Sequence, residues 1–111
     1  TDYKVERETT RQSLLAQIDS VINNTNTDKD TLAEAQKMKL NISENMEKEM
    51  LIEGILKAKG FTDVIVTISS ESVNVVVKDS ELTQGKVAQI LEVVKRETSE
   101  AAENIKIIPT V

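Results

Sequence analysis

The sequence predicts an α+β domain in which helices cover one face of a small three-stranded sheet. Three observations predict it. Apolar residues recur at three- and four-residue spacing in three long segments. Between the second and third lies "VIVTISSESVNVVVKD" (Val64 to Asp79), where alternation marks two strands. After the third helical segment a short alternating run, "NIKII", stops at Pro109. The resulting order is helix, helix, strand, strand, helix, strand, which suits helices packed on one side of a sheet.

Residues 2 to 23 read as a first helix with an apolar stripe at Leu14, Leu15, Ile18, Val21 and Ile22. Its opening half, "DYKVERETTRQ", carries almost no stripe, so charge pairs or a frayed leader are both open there. "NNTNTD" at 23 to 28 is a loop whose side chains compete with helical hydrogen bonding. Thr27, Asp28 or Asp30 can cap a second helix that runs to about Lys59. That helix exceeds about 40 Å, longer than three strands can cover, so its first half must pack on the first helix or on a partner. Its stripe comprises Leu32, Ala35, Met38, Ile42, Met46 and Met50, continued by Ile55 and Leu56, with the methionines expected as core filler. Gly60 stands where a left-handed residue stops a helix, and Phe61 where a contact back to the last turn is expected.

With a hairpin tip at Ser70 and Glu71, Ile68 faces Val73, Val66 faces Val75 and Val64 faces Val77 on one apolar face. Ile65 then opposes Val76, Thr67 opposes Asn74 and Asp63 opposes Lys78 on the other. A one-residue slip would destroy both sets, so the register is specified. A four-residue loop from Ser69 to Ser72 keeps the same pairing. A third helix is expected over about 83 to 98, started by Thr83 or Ser80 and striped by Val87, Ile90, Leu91 and Val94. The following strand is placed beside the first, in the order 2-1-3, after a right-handed crossover.

The chain has 111 residues, 19 acidic and 14 basic, and no histidine or cysteine. Triads built on His or Cys are therefore excluded, as are thiolate metal sites, and no catalytic residue, metal or cofactor is assigned. The interspersed charges, with a net of −5, argue against nucleic acid, which needs clustered Lys and Arg. Glu47 and Glu49, like Asp28 and Asp30, read as solvated carboxylates on exposed helix positions and caps. Asp28-Lys29-Asp30 lacks the Gly and distal Glu of a calcium loop. Gly54 and Gly60 are too far apart for a GxxG nucleic-acid clamp, and Asn41-Ile42-Ser43 is a chance glycosylation triplet on a helix. No apolar run approaches the ~20 residues that span a bilayer. Because the chain starts at Thr1, a processed fragment is expected.

What remains is surface. The second sheet face carries Ile65, Val76 and Ile108 among Thr67, Asn74 and Lys106, and has no obvious cover. It is either a tolerated open face or a partner site, and the free strand edge is a second candidate. Val76 is the discriminating residue, since two of the three consecutive valines serve the core and the third does not.

"MEKEMLIEGILKAKGFTDVIVTI" (Met46 to Ile68), "SVNVVVKDSELTQGKVAQILEVVKRET" (Ser72 to Thr98) and "NIKIIP" closely resemble the extracellular domain of the stage III sporulation protein AH family. Leading "TDYKVERETTR" resembles the segment after that family's membrane span. Gly85 and the lengthened "SEAAE" before the last strand depart from the pattern. The resemblance implies a ring-building-motif-like domain at 27–111, similar to secretion and flagellar ring proteins, behind an N-terminal helical segment at 1–26 that follows a missing membrane anchor. It also implies a non-enzymatic module in the space between mother-cell and forespore membranes, carried on the mother-cell side. The partners it implies are the stage II sporulation protein Q ectodomain, other proteins of the stage III A operon and further copies in a ring. The residues expected to meet the partner are Ile65, Val73, Asn74, Val75, Val76, Lys78, Ile105, Lys106 and Ile108. The alternative is a small soluble regulatory or ligand-binding domain, which would need a closed apolar pocket.

Overall fold

The computed structural model describes residues 2–79 and 81–110. Its elements are α1 (Asp2–Asn23), α2 (Lys29–Ala58), β1 (Val64–Ser69), β2 (Ser72–Lys78), α3 (Gln84–Thr98), a 3-10 turn (Ala102–Asn104) and β3 (Ile105–Thr110). The chain forms two compact units, residues 1–44 and 45–111, and α2 runs through the boundary between them.

The first unit is a helical hairpin. Its turn is closed by the Thr27 hydroxyl, which donates to the Val21 carbonyl at 2.8 Å, and by Asn24 Oδ1, which accepts from the Asn26 N–H. Asp28 starts α2: its carboxylate accepts from the Thr31 N–H, satisfying a donor that the first helical turn cannot. Hydrogen bonding by Thr31 holds the Asp28 carboxyl below its usual value. Ile18 and Ala35 are buried between the helices, and Lys39 meets Asp19 at 2.7 Å on their surface.

In the second unit, α2 ends as expected at Gly60, whose φ is +105°. The Phe61 N–H returns to the Leu56 carbonyl and the Gly60 N–H to the Lys57 carbonyl, and both Phe61 and Leu56 enter the core. The hairpin has the expected register throughout, from Val64 opposite Val77 to Ser69 opposite Ser72, and the two serine hydroxyls lie 2.8 Å apart across the tip. Thr83 caps α3 by accepting from the Lys86 N–H; the other expected starter, Ser80, lies outside the described residues. Ser99, with φ +59°, ends α3, and "SEAAE" becomes the turn that leads into β3. The core gathers Ile52, Leu56 and Phe61 with the inner strand residues and with Ile90, Val93 and Val94 of α3.

Four expectations are corrected. The strand order is β1-β2-β3, not 2-1-3: β3 lies parallel to β2, with Val75 opposite Ile107 and Val76 opposite Ile108. Val75, Val76 and Val77 lie on the central strand, flanked by β1 and β3, and are buried at all three positions. β3 also continues through Pro109 to Thr110. The methionines of α2 are not core: Met38, Met46 and Met50 are exposed, Met50 at 74%. Each four-residue step turns about 40° around a helix, so a row built from such steps walks off the buried face. Finally, Glu49 is not solvated but 3% exposed.

Candidate functional site

The helix face that supplies Ile52 and Leu56 to the core also carries Glu49 and Glu53, so these four residues follow the spacing i, i+3, i+4, i+7. Ile52 and Leu56 point into the core, and the two carboxylates reach the rim of the sheet beside them. Glu49 Oε2 accepts from the Ile68 N–H at 2.8 Å, and Glu53 Oε2 accepts from the Val66 N–H at 2.8 Å. Both donors belong to β1, an edge strand, and point away from β2. Every second residue of a strand does so, and Ile65 and Thr67 are the ones turned toward β2.

The opposite edge differs. The Asp79 N–H donates to the Thr110 carbonyl, so Thr110, Ile108 and Lys106 turn their backbone groups toward β2. Ile105, Ile107 and Pro109 therefore face the open side. Pro109 has no N–H to leave unpaired there, which is where an edge strand tolerates proline. The Ile105 N–H returns to the Ala102 carbonyl. Among the described residues, the Ile107 N–H and the carbonyls of Ile105, Ile107 and Pro109 are the groups that β3 presents to an incoming strand.

The residues expected to meet a partner divide between the core and the sheet's outer face. Val73, Val75 and Ile105, expected to meet a partner, are core residues, and only their backbone can do so. Val76 is 9% exposed, because Ile65 flanks it from β1 and Ile108 from β3. It is thus sheltered on its own face, contrary to the expectation of an uncovered side chain. Asn74, Lys78 and Lys106 are exposed, and Ile65 and Ile108 are half-buried. The available surface is a polar row, Thr67-Asn74-Lys106, beside an apolar row, Ile65-Val76-Ile108.

The carboxylate pair on β1 went unread in the sequence, although a signal existed: glutamates at two positions of a stripe otherwise filled by core residues. Among the described residues no group of three or more carboxylates is placed to hold a metal ion, and no helix is long and apolar enough to cross a membrane.

A profile of the SpoIIIAH-like protein family matches residues 1–107. The chain belongs to the SpoIIIAH-like family. Its fold is shared with a chain in the structure of the SpoIIQ-SpoIIIAH pore-forming complex, at a TM-score of 0.84 and 20% identity, covering 99% of this chain and 96% of that one. No curated protein sequence matches significantly. For this SpoIIIAH-like chain, the helix-strand-strand-helix-strand order of the ring-building-motif-like domain is therefore present as expected, preceded by α1.

Proposed function

We propose that this domain is a non-enzymatic binding module of a sporulation complex, and that it captures a SpoIIQ-type ectodomain in the space between the mother-cell and forespore membranes. Family membership supports the setting, and the related fold occurs in a complex described as pore-forming and containing SpoIIQ. The observation that carries the docking mode is the difference between the two sheet edges. On β1 the outward N–H groups of Val66 and Ile68 carry carboxylates, whereas β3 offers one N–H and three carbonyls to a further strand. Exposed Lys106 and half-buried Ile108 lie on β3, exposed Asn74 one strand away and half-buried Ile65 two, where they can add side-chain specificity to backbone pairing. Anchoring in the mother-cell membrane and assembly of copies into a ring complete the reading.

The test mixes this domain with a SpoIIQ ectodomain and measures complex mass by light scattering and affinity by calorimetry. Ile107→Ala and Ile107→Pro both remove the isoleucine side chain, but only the proline loses the outward N–H. The alanine variant is expected to bind and the proline variant to bind at least about tenfold more weakly, the worth of a hydrogen bond at a desolvated interface. Equal affinities would refute docking at β3. Absence of any complex with the wild-type domain would refute the partner.

A further inference from the structure

Glu49 and Glu53 are spaced for a purpose that core packing does not explain. Four residues along a helix advance about 6.0 Å, and two residues along a strand about 6.6 Å. Carboxylates at i and i+4 of α2 therefore fall opposite donors at i and i+2 of a strand lying alongside. The pairing runs in opposite chain directions, Glu49 with Ile68 and Glu53 with Val66, both at 2.8 Å. A carboxylate accepts more strongly than the carbonyl of an incoming strand. An apolar side chain at either helix position would pack as well but would leave the edge donors open to another chain.

We infer that Glu49 and Glu53 form an edge guard, which prevents a second copy of this chain from adding its own β1 to β1 and so makes the sheet extendable from β3 alone. A second copy approaching through the same edge would bring its own two carboxylates, placing four negative charges along one seam. With these two donors of β1 occupied, strand addition is directed to β3; two unguarded edges would permit sheets to grow from copy to copy. The guard is independent of which protein occupies β3.

The experiment is carried out on the intact domain. In Glu49→Ala/Glu53→Ala, amide hydrogen exchange at Val66 and Ile68 is expected to accelerate by roughly tenfold or more, while the Val75 amide inside the sheet keeps its protection. Light scattering should show a concentration-dependent rise toward twice the wild-type mass. Glu49→Gln/Glu53→Gln retains a carbonyl acceptor at each position and should keep the wild-type exchange pattern. Unchanged exchange at Val66 and Ile68 in the alanine variant would overturn the inference, and so would faster exchange with no gain in mass. Should the double variant fail to fold, Glu53→Ala alone must speed Val66 while sparing Ile68; equal effects at both would overturn it. Affinity for the partner at β3 is expected to be unchanged in these variants, so failure of the guard and failure of the docking reading give different results.

Discussion

Val76→Asp is the substitution on which the geometry of the sheet bears most directly. Val76 occupies the central strand with Ile65 on one side and Ile108 on the other, and is 9% exposed. Replacing it removes a nearly complete valine burial, worth about 2 kcal/mol. A carboxyl group in that sheltered position, even when protonated, adds a desolvation cost of about 1–3 kcal/mol, since neither flanking isoleucine side chain can pair with it. The total, about 3–5 kcal/mol, corresponds to a fall in melting temperature of roughly 12 °C or more for a unit of this size. Asn74→Asp is the control, on the same strand and the same outer face but exposed, with Thr67 and Lys106 beside it. It should melt within about 4 °C of wild type, as surface changes do. Thermal melts followed by circular dichroism decide the matter. If Val76→Asp melts with the control, the two flanking isoleucines do not shelter this position and the burial argument fails. The substitution thus reports stability, and a loss of partner binding in it would not by itself locate the docking surface.

Two further outcomes follow from the helix ends. Thr83→Ala removes the acceptor for the Lys86 N–H and should lower stability by about 1 kcal/mol in urea titration, with no change in the slope of the transition. The Asp79 carboxyl accepts from the Glu81 N–H at 2.9 Å and from the Lys86 ammonium at 3.0 Å, and these contacts, the backbone bond foremost, hold it below its usual value. A carboxyl depressed in the folded chain stabilises at pH values above its unfolded value of about 3.9, and that contribution disappears as pH falls through the folded value. Urea titrations across the acid range should therefore show wild type losing stability below about pH 4 more steeply than Asp79→Asn, and equal slopes would contradict the assignment.

Much of the fold was legible because its signals are local. The hairpin register follows from matching two alternating runs about one tip, since any slip would turn Val64, Val66 and Ile68 outward together. Gly60 and Thr83 act through backbone geometry and a single hydrogen bond within one turn, so their roles could be assigned from neighbours in the chain. The methionine row of α2 misled for a geometric reason: spacing by four alone drifts around the helix, and the buried face is the one through Ile52 and Leu56. The site was less legible. Of the residues expected to meet a partner, Val73, Val75 and Ile105 are core, Val76 is sheltered, and Asn74, Lys78 and Lys106 are exposed.

The sequence by itself determined the elements, their order, the pairing of β1 with β2, and the absence of histidine and cysteine chemistry. Only the tertiary structure decided which strand is central and which edge is open. Alternation says which face a side chain takes, but it is the same for a central strand and an edge strand, and cannot tell which neighbour receives a backbone N–H. That depended on β3 joining β2, and on two carboxylates of α2 lying where the donors of β1 emerge. These residues are thirteen and nineteen positions apart in the chain and meet only because the helix lies along the edge.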